Sequence, residues 1–568
     1  MNGAFSRSLP NVRQGLFRVA ARPRLRPGMG DGPAPSSRGP AWRLARPPTG
    51  DDVVDIARRS IGAALRPASG GRPLNSAIRR RMLGSIGGMA LRVTLIHSND
   101  VHSRFDRMPK IAGYVERLRR ERRGEAVFLL DGGDHIDRAH PLTEATTGGA
   151  NVRALKASGY DFIAIGNNEG LSLLPKALDA LYRGAPFDVL VANLFDRSGR
   201  RPAWARPFAV RTVGGRAIGF IGVTVPFFYY ALLGWRVEPP EVALAELVPR
   251  LRPDVDALVL LSHLGLFADR ELAKRFPALD VILGGHTHHR LPEGERVGRT
   301  TIIQAGRGGA EVGQVDLVFT STGLVVRART VAVDKEAPHP AVAAAIREAE
   351  AASAANLERP VARLARPLGV SYVAESPLAN VLARAIRRAT EADVAFVTSG
   401  LLLHGLSAGV VPYAAVLSAC PHPISPCVLS LRALELKQIL SDALRPSRMT
   451  AEVRGYGFRG RVLGHPAVDG IDVEVAEAGD RRAVVALLKD GRRLVDEEVL
   501  RVATADMFVF MRAYDGLHHR PETVTYCAPF YLRHYLAEEL GRSVDHTEAE
   551  RPRFRRRAQD AGGEGLGG

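Results

Sequence analysis

Short runs of apolar and β-branched residues recur in the first half of the chain, and each run ends abruptly in a polar, glycine-rich segment. The first run, residues 92–97, shows little polar alternation, which is typical of a strand buried on both faces of a sheet. Runs of the same form occupy residues 126–130, 162–165, 258–261 and 281–283. This pattern predicts strands whose carboxyl ends meet at one edge of a sheet, where open α/β sheets form ligand sites.

Amphipathic stretches and more strongly alternating strands complete the first half. The predicted helices are residues 110–122, 151–157, 174–182, 241–251 and 268–275. Residues 301–305, 313–320 and 323–333 alternate between apolar and polar positions, and we expect them to close a second sheet. The order of strands and helices predicts a layered α/β/β/α sandwich for residues 89–335.

The second half of the chain has its own pattern. Residues 340–357 are rich in Ala and Glu, which favour helix, and we expect a connecting helix within residues 336–358. Residues 359–541 carry further strands together with helices at 377–391 and 432–444. This half therefore predicts a separate α+β C-terminal domain.

The two ends of the chain lack periodicity. Residues 1–88 are rich in Pro, Gly, Ser and Arg and contain no Glu, so we predict that they are disordered. Met89 directly precedes the first strand, and we expect translation to start there, with the earlier residues as upstream sequence read in frame. An Arg-rich, acid-poor transit peptide is the alternative. Residues 542–568 are polar and end in glycine, and we predict disorder there too.

Composition narrows the class of protein. The net charge is +18, but residues 1–88 hold 16 Arg against 4 Asp and so account for +12 of it. The folded part is closer to neutral, and we expect no nucleic-acid polymer as a partner. No run of about 18 uncharged apolar residues occurs, which predicts no membrane span. Three cysteines are too few for a disulfide framework and lack zinc-site spacing, which suits the cytoplasm.

Metal-binding side chains follow the five predicted strands. They are Asp100, His102, Asp134, Asn167, His263, His286 and His288. A carboxylate can bind one cation with each oxygen, so Asp134 is the expected bridge between two divalent metal ions. We expect Asp100, His102 and His288 to complete the ligands of one ion. Asn167, through its amide oxygen, and the histidines 263 and 286 would complete those of the other.

This ligand set predicts a reaction class. Mixed nitrogen and oxygen ligands favour Mn, Fe or Zn over Mg. Two such ions about 3.5 to 4 Å apart activate a water molecule and hold a phosphate group for in-line attack. An isolated Asp-x-His pair is usually a surface turn, but complementary ligands at five strand ends favour a metal site. The sequence therefore predicts phosphoester hydrolysis.

The ordered motifs NDVH, GGD, GNNE, SHLG and GGHTH resemble those of the calcineurin-like metallophosphoesterases. With a second domain of this length, residues 89–540 are similar to the family of bifunctional 5′-nucleotidases, UDP-sugar hydrolases and cyclic-nucleotide phosphodiesterases. The GNNEG and GDHIDR motifs resemble one branch of it. The resemblance implies that the N-terminal domain holds the metals. It also implies that the C-terminal domain supplies a nucleoside pocket and rotates over a small phosphorylated substrate.

One departure from the family pattern concerns catalysis. The family reads GNHE followed by a nearby Asp, whereas this chain has Asn168 and Leu171 at those positions. An amide can donate a hydrogen bond to phosphate but cannot deliver a proton, and loss of a general acid costs about 10²- to 10⁴-fold in rate. We expect the largest cost for poor leaving groups. Asn168 is thus a candidate catalytic residue or structural filler, and His135 and Asp137 are candidate substitutes for the missing pair.

The second departure concerns substrate binding. Where the family shows an Asn-Gly-Gly-x-Arg turn and a Pro-Phe stacking element, this chain reads TSGLLLHG and CPHPIS. The candidate substrate-binding residues there are Ser399, Gly400, His404 and His422, with structural roles as the alternative for the histidines. TADMFVFMRAYDG resembles a second stacking element, in which Phe508 is the candidate to pack on a base, with a core position as the alternative.

These observations lead to one hypothesis and two alternatives. The hypothesis is a cytoplasmic hydrolase that uses two divalent metal ions to cleave phosphate esters or anhydrides, above all in nucleotides. One alternative is a phosphatase for a substrate that is not a nucleoside. The other is a catalytically weak metal-binding sensor module. The sequence leaves the oligomeric state open.

Overall fold

The computed structural model describes residues 90–556, apart from positions 456, 479–480, 512, 515 and 518–523. The predictions for residues 1–88, for a start at Met89 and for residues 557–568 lie outside the described residues. The chain forms a first domain, residues 90–335, and a second domain, residues 359–556, joined by a helix.

The first domain alternates strands and helices in the order that the hydrophobic pattern predicts. Its strands are β1 (Leu91–Ser98), β2 (Ala126–Asp131), β3 (Phe162–Ala164), β4 (Asp188–Leu190), β5 (Leu194–Asp196), β6 (Ala205–Arg206), β7 (Phe208–Val213), β8 (Arg216–Thr224), β9 (Trp235–Val237), β10 (Ala257–His263), β11 (Val281–Gly284), β12 (Glu295–Val297), β13 (Thr300–Ile303), β14 (Glu311–Thr320) and β15 (Gly323–Ala332). Its helices are α1 (Met108–Glu121), α2 (Pro141–Thr146), α3 (Gly149–Ser158), α4 (Asn167–Ser172), α5 (Pro175–Tyr182), α6 (Tyr229–Leu233), α7 (Pro240–Leu251) and α8 (Leu266–Arg275).

Two sheets pack face to face. One has the strand order β15-β14-β1-β2-β3-β4-β6 and the other the order β12-β13-β11-β10-β8-β7. Val93 and Leu95 of β1 lie in the core between the sheets with Phe220 of β8, whereas Ile96 faces outward and packs with Ile111 of α1. The predicted α/β/β/α sandwich is therefore confirmed.

The placement of the last two strands corrects the prediction. We expected residues 313–320 and 323–333 to close the second sheet, but β14 pairs antiparallel with β1 and β15 pairs with β14, both in the first sheet. The other edge of β1 carries backbone groups that need partners, and β14 supplies them. Only residues 301–305 belong to the second sheet, as β13. Each predicted helix forms within two residues of its predicted ends, and the structure adds further helices that the sequence pattern did not predict.

The second domain is built on mixed and antiparallel sheets. Its strands are β16 (Pro360–Leu364), β17 (Val394–Thr398), β18 (Gly409–Pro412), β19 (Pro426–Arg432), β20 (Pro466–Asp469), β21 (Asp472–Ala478), β22 (Arg481–Lys489), β23 (Arg492–Arg493), β24 (Val499–Ala505), β25 (Thr525–Tyr526) and β26 (Phe554–Arg556). The remaining helices are α9 (Pro340–Glu358), which joins the domains, α10 (Pro377–Thr390), α11 (Tyr413–Ala419), α12 (Ala433–Ala443), α13 (Pro446–Met449), α14 (Asp506–Phe510), α15 (Leu532–Leu540) and α16 (His546–Glu550). Among the described residues, no helix combines the length and hydrophobicity that a membrane span requires.

The prediction of disorder from residue 542 is wrong for its first part. Helix α16 and strand β26 form there, and β26 pairs in parallel with β21. Arg553 is fully buried, and its guanidinium donates to the carbonyl oxygen of Glu548 at 2.9 Å. The polar composition of this segment suggested disorder, but a charged side chain such as Arg553 finds hydrogen-bond partners inside the fold.

A buried ionic cluster joins the two domains. The carboxylate of Glu144, in α2, accepts hydrogen bonds from Arg138 of its own domain (2.8 Å) and from Arg533 (2.9 Å) and Tyr413 (3.0 Å) of the second domain. His534 lies 3.0 Å from the same carboxylate. Burial alone would raise the pKa of Glu144, but Arg533 and Arg138 hold it well below its ordinary value. We call these residues the Glu144 cluster.

A second contact between the domains is aromatic. The Tyr229 hydroxyl, at the start of α6, donates to the Asp506 carboxylate of the second domain at 2.6 Å. Phe228, Phe510 and Tyr526 pack around this bond, with ring centroids 5.5 to 5.6 Å apart where they meet. Burial raises the pKa of the Asp506 carboxyl to about 7.

We expect Asp506→Asn to stabilise the protein more strongly at pH 8 than at pH 5. In the unfolded chain Asp506 ionises near pH 4, whereas the folded protein keeps the proton to about pH 7. The unfolded state therefore binds fewer protons in this window, and stability falls as the pH rises through it. The neutral amide avoids this loss, which is at most about 4 kcal/mol.

Thermal unfolding of both proteins at pH 5 and pH 8 measures the effect. A larger Tm increase at pH 8 than at pH 5 is the expected result. An equal shift at both pH values would show that ionisation of Asp506 is not the cause.

Candidate metal centre

The predicted ligands lie where strands of both sheets end, and their backbone is unusual. Left-handed φ angles occur at five of the seven: Asp100 (50°), His102 (47°), Asp134 (55°), His286 (73°) and His288 (57°). This conformation costs a residue with a Cβ about 1–2 kcal/mol. Strain of this kind is typical of sites where the chain turns sharply to aim a side chain. The turns bring these side chains together above the edge of the sheets.

Asp100 presents one oxygen to the site. Its Oδ2 accepts hydrogen bonds from Asn99 Nδ2 at 2.7 Å and from the His286 backbone N–H at 2.9 Å. Its Oδ1 is buried and has no hydrogen-bond partner within the part of the chain that the structure describes. Oδ1 lies 3.4 Å from Nε2 of His288 and 3.8 Å from Nε2 of His102. The carboxylate is therefore fixed with one lone-pair face toward both imidazoles.

The donor atoms of this group are spaced as ligands of one ion. Nε2 of His102 lies 3.2 Å from Nε2 of His288 and 3.9 Å from Oδ2 of Asp134. Metal–ligand bonds of about 2.0–2.1 Å in a tetrahedral site place ligands about 3.3–3.4 Å apart. Asp100, His102 and His288 therefore present donor atoms that lie close enough together to hold a single divalent ion.

Asp134 faces two ways, as a bridging ligand must. Its Oδ2 points to His102, and its Oδ1 lies 3.4 Å from Nε2 of His263. The backbone N–H of Asn168 donates to Oδ1 at 2.7 Å and holds the carboxylate in place. A Cβ at Gly166 would overlap this carboxylate, so only glycine allows the approach. The two oxygens thus face two different groups of donors.

The second group contains His263, His286 and Asn167. Nδ1 of His263 donates to the Gly132 carbonyl oxygen at 2.8 Å, which leaves Nε2 free to bind a metal. The rings of His263 and His286 have centroids 5.2 Å apart. The Asn167 amide donates through Nδ2 to Asn168, while its Oδ1 is buried without a hydrogen-bond partner among the described residues. Asp100, Asp134 and His263 lie close enough together to hold an ion as well. The roles of Asn167 and His286 as further ligands of a second ion stay a prediction.

The electrostatics of the site favour positive charge. Burial works to lower the pKa of His263, but the carboxylates of Asp134 and Asp100 outweigh it and raise that pKa to about 10. Burial and the charge on His263 lower the pKa of His286 to about 4. Neither carboxylate has an Arg or Lys partner among the residues that the structure describes. Divalent cations would supply the missing positive charge.

Asn168 lies beside the first group of donors. Its Nδ2 donates to the Ile136 carbonyl oxygen at 2.9 Å and to Nδ1 of His102 at 3.0 Å. A half-turn of this amide would present Oδ1 to an Nδ1–H of His102, the tautomer that frees Nε2 for a metal. Its amide thus supports His102, and its predicted contact with a phosphate stays a prediction.

The candidate substitutes for the missing pair occupy different places. His135 is fully buried and bonded to Asp131 (3.1 Å) and Tyr182 (3.0 Å), away from any open space. Asp137 lies at the edge of the site, with Oδ2 3.9 Å from Nδ1 of His102. Arg459 of the second domain donates to this oxygen at 2.8 Å. The second domain therefore reaches the metal loops through an arginine.

Sequence reasoning missed Glu169 as an organising residue. Its buried carboxylate accepts the backbone N–H groups of Asp134 (2.9 Å), Ile136 (2.7 Å) and Gly166 (2.8 Å). It thereby fixes two ligand loops to each other. The signal was a charged residue within GNNEG, beside two expected site residues and directly after a buried strand.

The predicted substrate-binding residues of the second domain do not gather at the metal loops. Ser399, Gly400 and His422 are buried within that domain, and the ring of His422 stacks on Phe458 at 5.1 Å. Phe508 is fully buried between other aromatic rings. The burial of these four residues does not favour direct contact with a substrate, and their substrate-binding role stays a prediction. His404 is exposed and bonds Ser418 at 2.8 Å, and its role stays a prediction.

Other aromatic residues border the site instead. The ring centroid of Phe227 lies 5.8 Å from that of His286. Phe227 and Phe228 expose 40% and 52% of their surface, which is unusual for phenylalanine. Phe228 also contacts Phe510 and Tyr526 of the second domain. We call these four residues the aromatic patch. Phe227 and Phe228 lie on a loop of the first domain that the strand and motif analysis did not single out.

Comparison with known proteins matches both halves of the chain. Residues 93–290 match the family model of calcineurin-like phosphoesterases, and residues 354–513 match the 5′-nucleotidase C-terminal domain. The uncharacterized metallophosphoesterase YunD of Bacillus subtilis is 36% identical over 461 residues, which cover 80% of this chain and 100% of that protein. The 5′-nucleotidase of Rattus norvegicus is 28% identical over 226 residues, which cover 36% of this chain and 39% of that protein.

Solved structures share the whole two-domain arrangement. The 5′-nucleotidase precursor from Thermus thermophilus is 20% identical, with a TM-score of 0.51, and the match covers 83% of this chain and 100% of that one. The NAD nucleotidase of Haemophilus influenzae is 14% identical, with a TM-score of 0.56 and the same coverage. At these identities the likeness shows the fold. The chain belongs to the calcineurin-like phosphoesterases that carry a 5′-nucleotidase C-terminal domain, and it is a hydrolase of phosphoester bonds.

Proposed function

We propose that this protein uses two divalent metal ions, one on each side of Asp134, to hydrolyse phosphate esters or anhydrides of nucleotides. The observation that carries the proposal is the carboxylate of Asp134, whose Oδ2 faces His102 and whose Oδ1 faces His263. A carboxylate that serves a single ion or a salt bridge has no need of two separate donor groups. Two ions held in this way supply an activated water molecule and bind the phosphate oxygens.

The side chains of this protein have separable tasks in that reaction. Asp100, His102 and His288 would hold one ion, and Asn167, His263 and His286 the other, with Mn, Zn or Fe as the metals that this donor set favours. Asn99 and Glu169 keep the ligand loops in position through the hydrogen bonds described above. Position 168 carries an amide, which cannot protonate a leaving group. We therefore propose that the enzyme works best on phosphates with good leaving groups.

The aromatic patch supports a nucleotide substrate. Phe227 and Phe228 expose large apolar rings beside His286, and a base could pack on them while its phosphate reaches the metal loops. The match to a 5′-nucleotidase C-terminal domain favours the same class of substrate.

A phosphatase for a non-nucleoside substrate is the second candidate. It is favoured by the burial of Phe508 and of the Ser399 region, where the family resemblance placed nucleoside contacts. Comparison of AMP, UDP-glucose, 2′,3′-cyclic AMP and p-nitrophenyl phosphate as substrates separates the two candidates. A strong preference for any of the nucleotides supports the first, and turnover of p-nitrophenyl phosphate alone supports the second.

We expect Asp134→Asn to lower Mn²⁺-dependent turnover of p-nitrophenyl phosphate by more than about a hundredfold. Loss of residues that merely orient a ligand costs 10- to 100-fold in metal affinity or activity, and loss of the bridge itself should cost more. Bound metal measured by mass spectrometry should fall as well. Asp256→Asn, an equivalent change at an aspartate that pairs with Arg216, is the matched control. Full activity in Asp134→Asn would refute the proposed metal centre.

We expect Asn168→His to raise kcat/KM for AMP more than for p-nitrophenyl phosphate. An imidazole at this position can donate a proton, and a ribose alkoxide needs that help far more than a p-nitrophenolate. The gain on AMP should lie within the 10²- to 10⁴-fold range of general-acid catalysis. Steady-state kinetics on both substrates tests this. An equal gain on both would contradict the leaving-group argument.

We expect Phe228→Leu to raise KM for AMP several-fold and to leave KM for p-nitrophenyl phosphate nearly unchanged. Base–aromatic stacking is worth about 1–3 kcal/mol per base. Phe228→Tyr keeps the ring and should behave like the unmodified protein. If KM for both substrates rises together, the ring supports the loop and does not bind a base.

A further inference from the structure

A second cavity lies on the first domain, away from the metal-binding side chains. It has a volume of about 640 Å³, within the range of sites that bind small molecules. Its walls come from the end of α5, from the segment before β6 and from the start of β9. Tyr182, Trp204 and Trp235 form the aromatic part of the lining, and Arg183 and Arg200 the basic part. We call it the Trp204 cavity.

The aromatic wall is held in place before any ligand binds. The indole of Trp204 donates through Nε1 to Asp179 at 2.8 Å. Its ring lies 5.3 Å from that of Tyr182 and 6.3 Å from that of Trp235, at steep angles to both. Tyr182 and Trp235 are buried, whereas Trp204 is partly exposed. A planar ring could therefore pack on Trp204 at little cost in conformational entropy.

Two arginines on the basic side of the cavity have guanidinium nitrogens that could bind an anion. The exposed guanidinium of Arg183 makes no hydrogen bond or ion pair with any residue that the structure describes. Arg200 is held through Nε by Ser198 at 2.9 Å and lies 3.6 Å from Oδ2 of Asp196, which leaves its two terminal nitrogens available. The acidic neighbours are already engaged, since Asp179 binds Trp204 and Asp196 accepts from the Ser198 hydroxyl at 2.6 Å. An arginine fork of this kind suits phosphate or carboxylate.

We propose that the Trp204 cavity is an effector site for a planar aromatic anion, of which a nucleoside monophosphate is the simplest example. The ring packs on Trp204, and the anionic group binds Arg183 and Arg200. Both interactions are needed because neither a stacked ring nor an exposed arginine holds a ligand firmly alone.

A short chain of hydrogen bonds connects the cavity to the metal centre. The Tyr182 hydroxyl, behind the cavity wall, lies 3.0 Å from Nε2 of His135. Nδ1 of His135 lies 3.1 Å from Asp131, at the end of β2. His135 directly follows Asp134, the bridging carboxylate. A ligand that shifts Tyr182 therefore acts on the loop that carries the bridge, and it changes kcat without entering the active site.

Tryptophan fluorescence measures binding directly. The chain has three tryptophans, and two of them, Trp204 and Trp235, line this cavity. We expect AMP to change the emission of metal-stripped protein in a saturable way. Adenosine, which lacks the anion, and inorganic phosphate, which lacks the ring, should bind at least about tenfold more weakly. No saturable change with AMP would overturn the proposal.

Two arginine variants locate the binding. Arg183→Ala keeps all the tryptophans and should weaken the AMP-induced change at least about tenfold. Arg347→Ala, the same change at an exposed arginine of α9, should bind AMP like the unmodified protein. Equal affinity in both variants would show that AMP binds elsewhere. The measurement does not depend on the proposed hydrolysis, because it uses protein without metal and can be repeated in Asp134→Asn.

Steady-state kinetics test whether binding at the Trp204 cavity affects catalysis. With p-nitrophenyl phosphate as substrate, AMP should change both kcat and KM of the unmodified protein but only KM of Arg183→Ala. Tyr182→Phe keeps the wall of the cavity but lacks the hydroxyl, so it should still bind AMP while kcat no longer responds. A pure KM effect in the unmodified protein would contradict the effector role.

Discussion

The structure depends on two buried carboxylates, Asp100 and Asp134, that face imidazoles and have no arginine or lysine partner in the part of the chain that the structure describes. Such a cluster is costly unless cations occupy it. Formation of this cluster also costs backbone strain, since both aspartates and three of the histidines adopt left-handed backbone conformations. Packing and hydrogen bonds in the rest of the first domain offset this free-energy cost. Long buried strands fix where the turns begin, and Asn99 and Glu169 tie the loops together.

Buried ionic contacts hold the second domain in a fixed position against the metal centre. Glu144 and Arg533 are buried partners across the boundary, and separation of such a pair leaves uncompensated charge. The family resemblance implies rotation of the second domain over the substrate. Here a rotation at this point would have to break the Glu144 cluster, at a cost of several kcal/mol. The observed orientation, with Arg459 against Asp137, is therefore a well-defined state of the molecule.

The reaction that the metal centre favours follows from the side chains that it contains and from the general acid that it lacks. It gathers side chains that could hold metal ions, but position 168 carries an amide that is already bonded to His102 and Ile136. The centre is thus equipped to bind and attack a phosphate and poorly equipped to protonate a leaving group. In the proposed function the aromatic patch, half of it from each domain, would give the substrate an apolar partner, because core residues such as Phe508 are buried.

The sequence by itself determined the layered fold, the helix positions and the metal donors, because hydrophobic periodicity and strand-end motifs are local signals. Asp100, His102 and Asp134 each follow a buried strand directly, so their convergence could be predicted. Only the tertiary structure decided which sheet β14 joins and which aromatic rings stay exposed, because these depend on partners hundreds of residues away. The same holds for Phe508, whose apolar neighbours suited both a core and a binding surface until its packing against Phe396 settled it.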